Sequence, residues 1–419
     1  MTAEPGRVPA RAAPRAARPP LAHHPPHPRW PHTALDTRGH RPVPFRQFVL
    51  KVHSRCNLAC DYCYIYEGPD QSWRERPARV SRATMALAAA RIGEHARRHR
   101  LPGIRVELHG GEPLLAGTAP LIRYADAVRA EVPADCRVTA TVQTNGTLLT
   151  PEALTELAAA GIRVGLSLDG GTAALARHRR DHAGRASWPA AHAAARLLAG
   201  RPGTWAGVLT TIDHATPPRE VYGSLLRLGP PGIDFLLPHG NWHTPPPGLT
   251  PPPAPGRRRP WPAPYGRWLA DVFDAWWDSP ATPTRIRLFT EITALLYGAP
   301  STAEAVGLSP LAAVVVDTDG AVEQVDALKS AYPGAPATGL DVRHHTFDEA
   351  LRHPGIAARQ LGADALAADC RRCPVHRVCG GGNYVHRYTP GSGFRHPSVY
   401  CADLEHLIRH IAARLAETT

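Results

Sequence analysis

The sequence predicts an α/β fold: a partial (β/α)6, TIM-like barrel followed by a smaller cysteine-rich C-terminal domain. From residue 45 onward, strand-like apolar runs alternate with helical patterns, which is typical of βαβ units and a parallel sheet. Six such units are too few to close an eight-fold barrel, so the barrel is predicted to be open. Seven of the eight cysteines stand in two groups, one after the first strand and one near the C-terminus.

The predicted elements follow one another in regular order. We expect strands near 47–53, 104–108, 137–142, 162–168, 205–211 and 232–236, with helices near 81–99, 119–131, 151–160, 188–199 and 217–228. The helix at 151 is the best marked, because Thr150 suits its N-cap, Pro151 its first turn and Gly161 its end. In a barrel of this kind the site lies at the C-terminal ends of the strands.

The chain divides into four predicted segments. They are a disordered Pro/Arg-rich tail (1–44), the barrel core (45–240), a Pro-rich loop with bridging helices (241–300) and the cysteine-rich domain (301–419). The last segment contains a predicted hairpin, 312–317 and 321–325, and a final amphipathic helix at 403–416. A stripe of aromatic residues on a helix at 264–279 favours core packing over a wall beside a peptide channel.

Composition excludes several function classes. No apolar run approaches the roughly 20 residues that a membrane span needs, and no secretory signal is evident. Eight clustered cysteines without such a signal favour metal binding in a reducing cytoplasm over disulfides. The net charge of +12 could indicate nucleic-acid binding, but no motif for it accompanies the charge. Only two of the 48 basic residues are lysines, Lys51 and Lys329, which is typical of a GC-rich genome.

The first cysteine group carries the strongest chemical signal. Cys56, Cys60 and Cys63 are spaced C-x3-C-x2-C on the loop after the first strand, with the aromatic Tyr62 before the last of them. A closed structural zinc site needs four ligands, and no fourth thiol is near. Three thiolates suit a [4Fe–4S] cluster whose fourth iron is left for an outside ligand.

Polar motifs follow the next three strands where each strand is predicted to end. They are Gly110, Gly111, Glu112 and Pro113; Gln143 and Asn145; and Ser167 and Asp169. Arg179 lies further along, five residues before Gly184. Glycine lets the backbone approach a ligand closely, and a carboxylate can accept a hydrogen bond from an ammonium group. Arginine can bind a carboxylate through two parallel hydrogen bonds. Any one of these motifs is equally well explained as structural, but four in barrel order indicate a ligand site.

The second cysteine group comprises Cys370, Cys373, Cys379 and Cys401. Four thiols make either a zinc site or a second [4Fe–4S] cluster, and spacing alone does not choose between them. Cys136 belongs to neither group and is expected to be a core or surface thiol.

With the cysteine triplet followed by GGEP, QTNG and SLDG, the chain resembles the radical S-adenosylmethionine (radical SAM) superfamily. The resemblance implies that Cys56, Cys60 and Cys63 hold a [4Fe–4S] cluster to which S-adenosylmethionine binds. It further implies that the GGEP motif holds the amino group of this cofactor and that Arg179 meets its carboxylate. The residues nominated for cofactor binding are Tyr62, Gly110, Gly111, Glu112, Pro113, Gln143, Asn145, Ser167, Asp169 and Arg179.

The C-terminal segment resembles the SPASM extension of peptide-modifying radical SAM enzymes, which commonly carries seven cysteines for two auxiliary clusters. Here Val325 and Asn383 stand at two of the cysteine positions, and no cysteine lies between Cys136 and Cys370. The resemblance therefore implies one auxiliary [4Fe–4S] cluster, held by Cys370, Cys373, Cys379 and Cys401, and two clusters in all.

Several segments narrow the resemblance to the FxsB-type cyclophane-forming peptide maturases. They run from Arg55-Cys56-Asn57-Leu58-Ala59-Cys60 to Pro397-Ser398-Val399-Tyr400-Cys401 and include Cys379-Gly380-Gly381-Gly382-Asn383-Tyr384. Such enzymes use a 5′-deoxyadenosyl radical to take a Cβ hydrogen from a ribosomally made precursor peptide, joining that carbon to an aromatic ring two residues away. Thioether formation, epimerisation and sulfatase-type maturation are the alternatives; a zinc-bearing nucleic-acid-binding or scaffold protein is the distant one.

The same resemblance nominates further parts of the reaction. Asp326, which follows the vacated position of Val325, is the candidate proton acceptor, although a polar strand-end residue is an equally good interpretation. Lys329 is interpreted as a surface lysine, with Asp326 or a substrate carboxylate as an alternative partner. An electron donor such as flavodoxin or ferredoxin is expected. The leader peptide is expected to bind either the SPASM region or a separate protein.

Overall fold

The computed structural model describes residues 39–249, 262–280, 284–390 and 392–417. Most of the predicted tail (1–38) and the proline triplet Pro251-Pro252-Pro253 lie outside the described residues, so the predictions made for them stay untested. Described residues 39–44 form no helix or strand.

The centre of the molecule is one ten-stranded sheet. Its strands are β1 (Gln47–His53), β2 (Gly103–Gly110), β3 (Arg137–Thr144), β4 (Ile162–Ser167), β5 (Trp205–Thr211), β6 (Gly232–Leu236), β7 (Arg285–Ile286), β8 (Ala313–Val316), β9 (Ala321–Glu323) and β10 (Ala337–Asp341). Their order across the sheet is β10-β9-β8-β1-β2-β3-β4-β5-β6-β7. The strands from β8 to β7 in this order are parallel, and only the β8-β9-β10 edge is antiparallel. The six predicted strands are therefore confirmed, and the barrel is open.

Among the described residues, seven helices connect successive parallel strands from β1 to β8, and five more follow β10. They are α1 (Arg82–Arg98), α2 (Thr118–Glu131), α3 (Pro151–Ala159), α4 (Trp188–Ala199), α5 (Pro218–Leu226), α6 (Pro264–Trp277), α7 (Arg287–Leu296), α8 (Phe347–Ala350), α9 (Pro354–Ala358), α10 (Ala368–Arg371), α11 (His376–Cys379) and α12 (Cys401–Glu417). Thr150 caps α3 as predicted, its side chain accepting from the backbone N–H of Ala153. None of the helices described is both long enough and apolar enough to cross a membrane.

The main core lies between the sheet and the helices outside it. On β1, Phe48, Leu50 and Val52 point outward and are fully buried. Alternation therefore turns Lys51 and His53 to the inner face of the barrel, where the site lies. Cys136 is buried in the outer core, which places it with neither cysteine group. The aromatic stripe on α6 is also core, as the sequence favoured, since Trp268 and Phe273 are buried.

The predicted hairpin continues the barrel sheet. Strand β8 pairs in parallel with β1, from Gln47 opposite Ala313 to Leu50 opposite Val316, and β9 then folds back on β8. The sheet consequently runs across the predicted boundary at residue 301. This pairing brings Glu323 and Asp326 beside the C-terminal end of β1, which local sequence could not show.

Candidate active site

The loop carrying Cys56, Cys60 and Cys63 is fixed at the C-terminal end of β1. A strap formed by residues 177–187 lies over it: the backbone N–H of Ala59 donates to the carbonyl of Arg180 (2.7 Å), and the ring of His182 contacts the carbonyl of Cys56 (2.9 Å). A second tie joins Asn57 to Thr147, beyond β3 (2.8 Å). The three thiols are thus held by segments far apart in sequence.

The environment of these thiols fits a metal cluster. Burial, with a smaller effect from neighbouring thiols, raises the pKa of Cys56 to about 12 and that of Cys60 to about 11, although the Arg179 guanidinium opposes the rise at Cys60. Without a cation the sulfurs are therefore neutral at pH 7. A bound iron cluster supplies the positive charge that stabilises thiolates. Donors are also in place, because the backbone N–H of Leu58 contacts the sulfur of Cys56 (3.4 Å).

The glycines of the GGEP motif have a packing role that their sequence did not indicate. They were predicted to let the backbone approach a ligand, whereas in the structure they let β2 approach the cluster loop. A Cβ on Gly110 would overlap the carbonyl of His53, and one on Gly111 would overlap the hydroxyl of Tyr66 and lie 2.5 Å from the carbonyl of Arg55.

Gly111→Ala is therefore expected to displace the cluster loop and to reduce the iron retained after reconstitution. Overpacking of this kind lowers the free energy of unfolding by about 1–3 kcal/mol. Gly203→Ala is the matched control, since a Cβ at Gly203 meets no atom within 4 Å. Iron analysis and urea unfolding of both variants test this, and equal iron content in the two would contradict it.

Glu112 joins the ends of β2 and β3. It is 1% exposed; one carboxylate oxygen accepts from Leu114 N–H (2.9 Å) and the Thr144 hydroxyl (2.7 Å), and the other accepts from Asn145 N–H (2.8 Å). Burial raises its pKa, and these hydrogen bonds oppose that rise. A carboxylate offers about four acceptor positions. Three are used, so one is left for an ammonium group. Pro113 starts the 3-10 helix that Glu112 caps.

Asn145, Gln143 and Ser167 were nominated for cofactor binding. The amide of Asn145 faces the cluster loop, donating to Asn57 Oδ1 (2.9 Å) and contacting the sulfur of Cys56 (3.8 Å). Gln143 donates to the hydroxyl of Ser167 (2.8 Å). The structure thus brings Gln143 and Ser167 together and assigns Asn145 a second role, as a positioning group for Cys56.

Asp169, Tyr62 and Arg179 form a buried chain beside Cys60. The Tyr62 hydroxyl donates to Asp169 and accepts from the Arg179 guanidinium (2.6 Å), which also lies 3.7 Å from Asp169. Arg179 is 8% exposed, yet its Nε finds no acceptor among the described residues. A buried donor without a partner is costly, and a ligand carboxylate would satisfy it. This orphan donor fits the predicted contact with the carboxylate of S-adenosylmethionine.

A cavity of about 460 Å³ opens beside these groups. Its walls come from the cluster loop (Tyr62 and Tyr64), the β5 end (Thr211 to Ala215), the segment 245–247, and Tyr265 of α6. His239 also lines it, lying edge-on to the ring of Tyr64 at 4.7 Å. The sequence did not single out Tyr64 or His178 as site residues, although both line the cavity, Tyr64 directly after Cys63 and His178 directly before Arg179. A cavity of this size holds several side chains.

Asp326 lies on the inner face of the barrel, at the start of a 3-10 helix whose last residue, Ser330, lines the cavity. It forms an ion pair with Lys51 Nζ at 2.7 Å. The interpretation of Lys329 as a surface lysine is wrong: it is 1% exposed and pairs with Glu323 (3.2 Å) and Asp70 (3.6 Å). The hairpin that continues the barrel sheet buries it.

Cys370, Cys373, Cys379 and Cys401 converge from α10, α11 and the first residue of α12. Burial raises the pKa of Cys379 to about 11, while the Gly381 N–H donates to its sulfur and opposes that rise. Gly380, Gly381 and Gly382 all have positive φ, and the guanidinium of Arg387 donates to their three carbonyls. This turn fixes Cys379 against the start of α12.

Sulfur spacing bears on which metal suits this group. Four sulfurs about 2.3 Å from one zinc ion lie about 3.8 Å apart. Among the described residues, the one group of three or more ligand atoms within 4.8 Å of one another is His95, His99 and Asp348. No three of these four sulfurs lie that close together, and the choice of a [4Fe–4S] cluster over zinc stays a prediction.

Aromatic residues fill the region of the two vacated cysteine positions. Val325 packs against a buried cluster containing Tyr384 and Phe394, whose rings stack at 4.3 Å, and Tyr384 follows Asn383. Tyr388 packs on the same cluster. This side-chain packing agrees with the predicted loss of the first auxiliary cluster.

Comparisons with known proteins agree with this geometry. Residues 50–210 match the family model of the radical SAM superfamily. Over 158 residues the chain is 34% identical to the serine-type anaerobic sulfatase-maturating enzyme of Klebsiella aerogenes, covering 38% of this chain and 37% of that one. It is 35% identical over 176 residues to GTP 3′,8-cyclase of Parasynechococcus marenigrum (strain WH8102), covering 41% and 45%. The chain thus spans less than half the length of these curated relatives.

Solved structures share the fold over a longer stretch. Native anSMEcpe with bound AdoMet superimposes with a TM-score of 0.72 at 20% identity, covering 89% of this chain and 99% of that one. The same protein with bound AdoMet and the Kp18Cys peptide gives 0.72 at 19% identity, covering 89% and 98%. The C-terminal cysteine-rich region is thus included in a shared fold. Residues 50–210, with their cysteine loop and open barrel, belong to the radical SAM superfamily.

Proposed function

We propose that the protein is a radical SAM enzyme that crosslinks a ribosomally made precursor peptide, joining an aromatic ring to the β-carbon of a residue two places away. The observation that carries the proposal is the cavity of about 460 Å³ between the cluster loop and the helix of Asp326 and Ser330. One wall would hold the cofactor, and the opposite wall includes Ser330, whose 3-10 helix begins at the buried carboxylate of Asp326.

The chain's own residues hold and orient the reactants. Cys56, Cys60 and Cys63 would hold a [4Fe–4S] cluster, Arg179 would bind the cofactor carboxylate, and Glu112 would bind its ammonium. When bound, cluster and S-adenosylmethionine together supply the radical that abstracts an unactivated hydrogen, a task beyond any side chain. Asp326 would then take the proton released when the ring regains aromaticity.

The electron released in that same step needs an acceptor. Cys370, Cys373, Cys379 and Cys401 would hold the auxiliary [4Fe–4S] cluster in that role, since four thiolates are the usual ligand set of such a cluster. A flavodoxin or ferredoxin as donor, a separate leader-binding protein and a cytoplasmic location belong to the same proposal.

Sulfatase-type maturation is the second candidate. The curated relative from Klebsiella aerogenes is a serine-type sulfatase-maturating enzyme, and a solved structure of similar fold contains a peptide. The cavity of about 460 Å³ would also accept a serine side chain of a protein substrate. Both reactions remove two hydrogens, so the mass of the product does not separate them.

The test uses anaerobically reconstituted protein with S-adenosylmethionine, a reductant and two sets of synthetic peptides. In one set a Trp, Phe or Tyr stands two places before a Ser, Asn or Asp; in the other, serine peptides lack any aromatic residue. We expect loss of two hydrogens in the first set only, with no backbone fragments between the joined residues in tandem mass spectra. Hydroxylamine-reactive products from the second set would instead favour sulfatase-type maturation.

A further inference from the structure

We propose that Lys51 is a positioning residue that keeps Asp326 ionised, so that Asp326 can accept the proton released during crosslinking. The inference deepens the proposed function and rests on it for the role of Asp326. Neither Lys51 nor Asp326 lines the cavity, whereas Ser330, at the other end of the Asp326 helix, does. Lys51 would therefore act through the carboxylate of Asp326.

Lys51 and Asp326 form a short ion pair that is shielded from solvent. Lys51 Nζ lies 2.7 Å from Asp326 Oδ1, and the two side chains are 4% and 9% exposed. A carboxylate buried alone favours its neutral form, and a neutral acid cannot take up a proton. An ammonium group at hydrogen-bond distance favours the ionised form instead. In agreement, the pKa of Asp326 lies below its usual value: burial raises it, and Lys51, Lys329 and His109 together outweigh burial.

Titratable groups from several elements surround the ion pair of Lys51 and Asp326. Lys51 is on β1, His109 on β2 and Tyr64 on the cluster loop, while Glu323 and Asp317 come from the β8-β9 hairpin and Lys329 from the helix of Asp326. Arg76 binds Glu323 (2.9 Å) from the far side. Glu323 is therefore already held by Lys329 and Arg76, which leaves Lys51 for Asp326.

Lysine usage points to the same place. The chain has two lysines among its 48 basic residues, and both are buried in this one network. Elsewhere the sequence uses arginine. A lysine ammonium is a compact point charge, whereas a guanidinium is a broad planar fork. A compact charge fits between the strand ends beneath Asp326. The codon bias that explains the arginines does not explain these two exceptions.

The proposed step balances. After the carbon–carbon bond has formed, the C–H bond at the joined ring carbon breaks. Its proton goes to the ionised carboxylate of Asp326, and one electron goes to an oxidised iron–sulfur acceptor, for which the second cysteine group would supply the ligands. Lys51 stays protonated throughout and changes only the charge state of Asp326 before the step.

The two lysines allow a direct test that needs no substrate. Protein labelled with 13C at the lysine ε-carbon should give two resonances, assigned with Lys51→Met and Lys329→Met. In Asp326→Asn we expect the Lys51 resonance to titrate at least about one pH unit lower than in the unaltered protein, because its counter-ion is gone. Glu323→Gln should move the Lys329 resonance instead. An unchanged Lys51 titration in Asp326→Asn would overturn the proposal, whatever the substrate is.

Turnover gives the second readout. The substrate is a peptide of the first set that the unaltered protein crosslinks. With it, Lys51→Met should keep 5′-deoxyadenosine formation but give less crosslinked product at pH 7. The product yield should recover as the pH rises. The sign follows from Asp326, whose pKa rises when Lys51 is lost, so that ionisation needs a higher pH. Lys51→Arg should restore part of the yield. Equal loss at every pH would indicate a structural role only, and absence of crosslinking in the unaltered protein would contradict the proposed function while leaving the lysine titration decisive.

Discussion

Cys60→Ala is expected to abolish 5′-deoxyadenosine release from S-adenosylmethionine. The reason is the number of ligands: Cys56, Cys60 and Cys63 are the thiols on the loop after β1, and a [4Fe–4S] cluster with one open iron needs three. The other cysteines lie on other elements, with Cys136 in the outer core and the second group around α10, α11 and α12, so none of them is on this loop to substitute. We also expect iron to fall by about half, from about eight to about four per chain.

Cys136→Ala is the matched control for this loss. Cys136 is 4% exposed and packs in the outer core, so its replacement removes a thiol without touching either cysteine group. It should keep both iron content and cofactor cleavage. Reductive cleavage assays and iron analysis of the two variants decide the matter. Cofactor cleavage that survives in Cys60→Ala would overturn the assignment of the first cluster.

The second large effect is expected from Cys379→Ala. Cys379 is a half-buried thiol of the second group, held by the glycine turn and by the Gly381 N–H. Its loss should remove the auxiliary cluster, lowering iron by about half, to about four per chain. Cofactor cleavage should continue, because the first cluster is intact, whereas crosslinked peptide should be lost for want of an electron acceptor.

Metal analysis separates this outcome from the zinc alternative. If the second group holds zinc, the unaltered protein contains about four irons and one zinc, and Cys379→Ala loses the zinc alone. In that event the electron acceptor proposed above would be wrong. Cys136→Ala again serves as control, with metal content equal to that of the unaltered protein.

Local sequence was sufficient for the strands, several helix ends and the grouping of the cysteines. Strand positions follow from apolar runs, the α3 cap from Thr150 and Pro151, and the proposed ligand set of the first cluster from the spacing of Cys56, Cys60 and Cys63. Each of these depends on residues within one turn or one loop of each other. Such features are set by short-range sterics and hydrogen bonding, so they can be read without knowing the fold.

Contacts between residues that are far apart in the sequence could not be predicted from local patterns. The sequence nominated Asp326 but not Lys51, which is 275 positions earlier and becomes its neighbour only because β8 pairs with β1. It placed Lys329 on the surface, since nothing local shows that the hairpin buries it. Likewise, Asn145 turned toward Cys56 because the end of β3 lies beside the cluster loop.

The sequence by itself therefore determined the fold class, the two cysteine groups and the match of residues 50–210 to the radical SAM superfamily. Only the tertiary structure decided which charges face one another, what the glycines of the GGEP motif approach and where the cavity opens. The physical reason is that burial and pairing set the charge state of a side chain, and both depend on contacts between segments hundreds of residues apart. The spacing of residues along a chain identifies ligands that lie on one loop. It does not identify a counter-ion that lies on a neighbouring strand.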